Sequence, residues 1–321
     1  MSVFNAESTG QDVVNTFPEQ VKDRTIVITG ATGSSIGSAA ALALASASPG
    51  KIILVNRNAT KSQELINFIH TNYPSAPITH VVCDLSSLKS VEEAASEILK
   101  EAPSLDILIN NAATPPGPYS QTIDGIESQF AIDYVSHFLL TNLLMPSIIA
   151  AGPGARVVNV SSSAARHRTH LDFDDYNFSN GVKYTAFDGY TQAKLAIIVF
   201  TIALAERMGK LQMQSFSLHP GSILSSMRSQ VSSDDWKAAE KRRKEAGTNT
   251  EGVKKKTVEQ GCSTMLVAAL DPGLAYHSGS YLSDGVIATE TIRALDSSAD
   301  EVAEKLWKIS EKLVGREFTW S

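Results

Sequence analysis

The sequence predicts a single doubly wound α/β domain, a parallel sheet of about seven strands with helices on both faces. Strand-length apolar runs alternate with helical segments through most of the 321 residues. A glycine-rich turn follows the first of those runs directly, and a helix pattern follows the turn. No internal repeat or low-complexity linker breaks the alternation. Residues 24–321 therefore read as one domain behind an N-terminal extension, residues 1–23.

Five runs read as buried parallel strands: Arg24 to Thr29, Lys51 to Asn56, Ile78 to Cys83, Asp106 to Asn110 and Arg156 to Ser161. They are β-branched, almost continuously hydrophobic and bounded by turn or polar residues, as strands covered on both faces should be. Helices are expected between them. Ser38 to Ala47 is alanine-rich, Thr60 to Thr71 puts Leu65, Phe68 and Ile69 on one face, and Leu88 to Lys100 is amphipathic. A long helix is expected from about Ile123 to Ile149. A sixth strand falls at Gln214 to His219 and a short seventh near Gly279 to Leu282. Such spacing demands right-handed crossovers and one sheet. From Ser222 to Lys256 the chain turns polar and charged, and is expected to form a solvated flap beside the site, about residues 222–256.

Composition excludes several classes. The formal charge of -6 argues against nucleic acid as a partner, and the KRRKE and KKK runs carry no interleaved aromatics. Cys83 and Cys262 lie far apart and in no C-x-x-C pair, so neither a disulfide frame nor a metal site is expected. His167 and His170 have no acid or cysteine nearby at ligand spacing, and His137 is assigned to core packing. No uninterrupted apolar stretch reaches the roughly 18 residues of a membrane span. The N-terminus shows no signal-peptide pattern, and a cytoplasmic location is expected.

The first strand runs into Thr29-Gly30-Ala31-Thr32-Gly33-Ser34-Ser35-Ile36-Gly37. Glycines let the backbone turn tightly and approach a pyrophosphate, whose charge the following helix N-terminus holds. The end of strand two discriminates between cofactors. An acid there would bind the ribose hydroxyl of NAD. This chain has Asn56-Arg57-Asn58, and Arg57 suits the 2′-phosphate of NADP.

Of the eight tyrosines only Tyr190 is followed four residues later by lysine, Lys194, so the two share a helix face. A phenol is a poor proton donor near neutrality, and a neighbouring ammonium favours its ionised form. Strand five ends in Val160-Ser161-Ser162-Ser163, at the sheet edge where open α/β folds bind ligands.

TGATGSSIG, CDLSS, NNAA, SHFLLTNLL, VVNVSSS, YTQAK and HPGSILSS occur here in the order of a known family. The chain resembles the short-chain dehydrogenases/reductases, enzymes on a Rossmann-type domain, and in particular their retinol-dehydrogenase-like branch common in fungi. The resemblance spans about residues 24–282. It implies NADPH or NADP as cofactor and hydride transfer on a small lipophilic carbonyl or alcohol, with secondary metabolism as a setting and a homodimer or homotetramer as assembly.

Residue by residue, it makes Ser162 the catalytic serine, Tyr190 the acid/base and Lys194 the ribose-binding lysine that tunes Tyr190. Gly30, Thr32, Gly33, Ser35, Ile36 and Gly37 would hold the phosphates, with Arg57 at the 2′-phosphate. Asp84 and Leu85 would lie by the adenine, Asn111 and Ala112 beside strand four, and Pro220, Gly221 and Ser225 around the nicotinamide. Tyr190 and Lys194 would also touch the cofactor.

Three features depart from the family. Serine stands at Ser34 where a glycine is usual. The segment between Ser162 and Tyr190 is long and contains LDFDDYNF, expected as an extra flap over the substrate. The catalytic asparagine is replaced by Asp133, whose main-chain carbonyl would still hold a water leading to Lys194. The competing expectation is a non-catalytic NADP(H)-binding sensor of the same fold.

Overall fold

A computed structural model of the chain describes residues 3–223, 237, 240–241, 254–288 and 299–320. Its frame is one sheet in the order β3-β2-β1-β4-β5-β6-β7-β8. The strands are β1 (Thr25–Thr29), β2 (Lys51–Asn56), β3 (Ile78–Val82), β4 (Ile107–Asn110), β5 (Arg156–Val160), β6 (Gln214–His219), β7 (Tyr281–Ser283) and β8 (Val286–Ile287). β1 to β7 are parallel, and only the two-residue β8 returns antiparallel, through a turn at Asp284 and Gly285. β4 and β5 are buried at every position, because helices cover both faces of the sheet.

One face carries α1 (Gly10–Thr16), α2 (Ile36–Ala45) and α3 (Ala59–Asn72), with α7 (Ser263–Leu270) beside them. The other carries α4 (Leu88–Glu101), α5 (Ser136–Ala151), α6 (Ala186–Gly209) and the C-terminal α8 (Ala299–Val314). Each early helix is started by a side chain that accepts a first-turn N–H: Ser35 for α2, Asn58 for α3 and Ser87 for α4. α2 accordingly begins at Ile36, two residues before the alanine-rich run suggests.

The N-terminal residues join the core. Thr9 and Asp12 form a capping box on α1, which buries Val13 and Val14. Gly10 packs so closely on α7 that a Cβ would meet the Cys262 sulfur. At the other end, α8 buries Trp307 edge-on against Phe138 at 5.0 Å, and Arg207 lies 4.0 Å over its ring. This helix carries apolar residues at helical spacing, although none of the elements expected from sequence covers it.

The long helix begins at Ser128, not near Ile123, and the turn Ala131–Val135 is a π turn before α5 proper. Residues Ser128–Ala151 and Ala186–Gly209 are each long and apolar enough to cross a bilayer. Of their most apolar stretches, 72% and 83% are buried inside this fold, as the two central helices of a layered domain require. The polar residues that interrupt their apolar runs, such as Asn142 and Gln192, are themselves buried.

Candidate functional site

The order of strands reverses between β1 and β4, and open sheets bind ligands in the crevice outside that switch point. β1 ends at Thr29. Gly30 then turns with φ +73°, and a Cβ there would fall 2.6 Å from the Ala112 Cα. Glycine alone lets the ends of β1 and β4 meet so closely. A Cβ on Gly37 would likewise fall 2.6 Å from Asn111 Nδ2. Ser35 caps α2 through Ser38 N–H, and Thr32 N–H reaches the same Ser35 hydroxyl at 3.4 Å. Gly33 and Ser34 are exposed, and Ile36 opens the helix. The turn therefore keeps the capped start of α2 next to the end of β1 even with serine at position 34.

Thr29 fastens the two strand ends. Its hydroxyl oxygen accepts from the N–H groups of Asn111 and Ala112, each at 2.9 Å, while Asn111 Nδ2 donates to the Thr29 carbonyl at 2.8 Å. Asn111 Oδ1 is left buried with no partner among the described residues. A bare acceptor beside two glycines that leave no room for a Cβ fits a dinucleotide, whose hydroxyl and amide groups supply donors.

Arg57 stands exposed just past β2. Its neighbours are occupied: Asn56 Oδ1 accepts the Asn58 N–H, and Asn58 caps α3. Asp84 closes a tight turn after β3 by accepting from the Ser86 N–H and hydroxyl, and the Leu85 carbonyl accepts from Ser136 at 2.6 Å. Cys83, beside it, is buried, and burial followed by the charge of Asp84 pushes its thiol up to about 12. It is inert packing.

Pro220 and Gly221 follow β6, and the stem of Lys256 lies against Gly221. Lys256 is itself buried and paired with Asp284 at 2.5 Å. Ser225 and most of the 222–256 flap lie outside the described residues.

Ser162 leaves the end of β5 and caps the short turn Ser163–His167, its hydroxyl accepting the Ala164 N–H at 3.2 Å. Thr185 starts α6, which carries Tyr190 and Lys194. Tyr190 packs against Ala164 and Phe187, which seats it beside the serine turn. Lys194 is 2% exposed. Its Nζ lies 5.6 Å from the Tyr190 ring centre and donates to the Val160 carbonyl at 3.3 Å. Ser161 donates to the Lys194 carbonyl at 2.6 Å, tying β5 to α6.

Asp133 departs from the expected arrangement. Its main-chain carbonyl, expected to hold a water leading to Lys194, accepts from the ring Nδ1 of His137 at 3.0 Å. The side chain meets the lysine directly: Oδ2 lies 3.1 Å from Lys194 Nζ as an ion pair. Oδ1 accepts from the Thr114 N–H at 2.7 Å and its hydroxyl at 3.2 Å. Full burial raises the carboxyl's pKa, while Lys194 and the Thr114 donors oppose that rise. His137, assigned to plain packing from sequence, is a buried polar bridge.

The segment between Ser162 and Tyr190 is a packed clamp. Asn177 accepts from Glu127 N–H at 2.7 Å and donates to the Gly125 carbonyl, and Leu171 and Phe178 are buried. Phe178, Ser179 and Asn180 all take left-handed backbone, held by Asp175 through Ser179. Thr29, His137, Thr114 and Glu127 were not among the residues singled out for the site from sequence. His137 lies one helical turn after Asp133, which was the available signal.

A switch-point crevice beside a buried lysine, a tyrosine one turn away and a strand-end serine defines a nucleotide-binding α/β oxidoreductase scaffold. Comparison with known proteins agrees. A family model described as short chain dehydrogenase matches residues 24–174. Human retinol dehydrogenase 13 is 34% identical over 303 residues, covering 92% of this chain and 86% of that one. The short-chain dehydrogenase/reductase prx1 of Penicillium roqueforti is 30% identical over 329 residues, covering 97% and 91%. The solved structure of an uncharacterised Mycobacterium paratuberculosis protein superposes with TM-score 0.70 at 27% identity, covering 93% of this chain and 96% of that one. The chain belongs to the short-chain dehydrogenase/reductase family, in its retinol-dehydrogenase-like branch.

Proposed function

We propose that this oxidoreductase uses NADP(H) to interconvert a carbonyl and an alcohol on a small lipophilic substrate. The observation that carries the reading is the buried Lys194, held 5.6 Å from the Tyr190 ring and anchored to the end of β5 beside Ser162. In reduction, Ser162 and Tyr190 hydrogen-bond the substrate oxygen, and Tyr190 gives its proton to the oxygen as negative charge develops there. Lys194 stabilises the phenolate left behind, and the proton returns from solvent through the lysine side. When bound, the nicotinamide supplies the hydride. Alcohol oxidation is the same path reversed.

Preference for NADP(H) rests on Arg57. It is exposed just past the end of β2, flanked by asparagines engaged in the local turn, and neither of those neighbours in sequence is an acid that would repel a phosphate. The test is nicotinamide absorbance with NADPH and, separately, NADH against retinoid, steroid, quinone and polyketide carbonyls. Consumption of NADPH with at least one of them is expected. Cofactor binding without turnover on any would favour the sensor instead, and an NADH preference would remove the role of Arg57.

A further inference from the structure

Two hydrogen bonds and an ion pair link the glycine turn to the catalytic lysine. The Thr29 hydroxyl lies 2.9 Å from His137 Nε2, His137 Nδ1 lies 3.0 Å from the Asp133 carbonyl, and the Asp133 carboxylate lies 3.1 Å from Lys194 Nζ. Thr29, Asp133, His137 and Lys194 are all at most 3% exposed. All four are thus held away from bulk solvent.

Proton counting decides the state of the imidazole. Thr29 Oγ1 already accepts two backbone N–H groups, so its own proton goes to His137 Nε2. The Asp133 carbonyl has no proton to give, so His137 Nδ1 must carry one. Both ends require the same neutral Nδ1–H tautomer. Burial agrees, pushing the ring's pKa from 6.5 down to about 4 against the pull of the Asp133 carbonyl.

We propose that His137 and Thr29 are positioning residues for the reaction: Thr29 fixes the imidazole tautomer, His137 donates to the Asp133 carbonyl, and the backbone so held presents the Asp133 carboxylate as the counter-ion of Lys194. The proposal rests on the oxidoreductase reading, in which Lys194 acts on Tyr190. The carbonyl lies within the π turn Ala131–Val135, where the main-chain pairing changes register, and the imidazole N–H supplies it a donor. Asp133 is then fixed at both ends, by His137 on its main chain and by Thr114 on Oδ1. Its second carboxylate oxygen can only face the lysine. Lys194 is thereby paired by an anion on the neighbouring helix. The other groups around the pair are the Val160 carbonyl on β5, the Tyr190 ring on α6 and the Glu127 carboxyl that precedes Ser128.

The same helix shows how to separate the two bonds of His137. Asn142 donates from its side chain to the Phe138 carbonyl four residues back, at 2.9 Å. His137→Asn should make that bond to Asp133 while losing Thr29, and His137→Leu should lose both. The tests use the full chain, with circular dichroism to show that each variant folds. First, imidazole ¹⁵N NMR of the wild type should show His137 as the neutral Nδ1–H tautomer, unchanged from about pH 8 to pH 5.5. An Nε2–H tautomer, or titration near the ordinary histidine value, overturns the proposal whether or not a substrate has been found.

Second, with any carbonyl that turns over, His137→Leu should lower kcat about tenfold or more with the substrate KM little changed. The upper limb of its pH profile should move to lower pH as the lysine loses its aligned anion. His137→Asn should recover most of both. Equal losses in the two variants, or an unmoved pH limb in His137→Leu, would mean that the histidine only fills space. Failure of the wild type to turn over any carbonyl would refute the oxidoreductase reading, and the NMR result would still decide the tautomer.

Discussion

Glu127 offers a test of the electrostatics beneath the site that needs no substrate. Its carboxyl caps the helix that begins at Ser128, accepting the Gln129 and Phe130 N–H groups at 2.9 and 2.8 Å, and it is fully buried. Burial outweighs those donors and pushes its pKa from 4.5 up to about 7, with the negative charge of Asp133 acting in the same direction. Between those values the folded chain holds a proton that the unfolded chain has lost. Stability from this group is therefore complete below about pH 4.5 and falls as pH rises through about 7. A shift of about 2.5 pH units corresponds to about 3 kcal/mol. Glu127→Gln removes the titration and keeps one capping oxygen.

The assay is urea unfolding of both proteins from about pH 4.5 to 8.5. The variant should gain on the wild type by about 3 kcal/mol across that range, most of it before pH 7.5. His137 works in the opposite sense in an overlapping window. Its folded value near 4 lies below the unfolded 6.5, so its stabilising effect is lost as pH falls through that interval. Subtracting the two curves removes His137 and leaves Glu127. Parallel curves, with a constant difference at every pH, would show that the carboxyl is ionised in the fold and that the two N–H donors outweigh its burial.

Three further outcomes are expected at the candidate active site. Tyr190→Phe should lose at least about a hundredfold in turnover while still binding cofactor, since general acid catalysis is worth roughly 10² to 10⁴; single-turnover kinetics at near-wild-type rates would remove Tyr190 from the proton transfer. Arg57→Ala should weaken NADPH binding by about 1.5 to 3 kcal/mol and leave NADH little changed, and calorimetry showing equal weakening of both would place Arg57 away from the 2′-phosphate. Gly30→Ala puts a methyl 2.6 Å from the Ala112 Cα at a φ of +73°, so it should cost about 1–2 kcal/mol from backbone conformation alone and abolish cofactor fluorescence changes; full retention of binding would show that the β1 and β4 ends need not meet there.

What could be read from the sequence was whatever local chemistry dictates. β1, β2, β4 and β5 announce themselves because a strand covered on both faces must be apolar at successive positions. β8 does not, since Val286 and Ile287 are two residues whose pairing depends on the turn at Asp284 and Gly285. α8 was legible in principle: Ala303, Leu306, Trp307 and Ser310 fall on one helical face and are the residues it buries.

The site divides along the same line. Tyr190 and Lys194 are four residues apart on one helix, so spacing alone pairs them. Asp133 and Lys194 are 61 positions apart, and nothing local says whether an aspartate turns its carbonyl or its carboxylate to a distant lysine. That choice is made by the π turn at Ala131–Val135 and by Thr29, 108 residues before the histidine it binds. A family's motif order can single out position 133 and cannot orient its side chain. Orientation follows from which donors are left over once the buried partners have been counted, and in this chain His137 holds the donor that decides it.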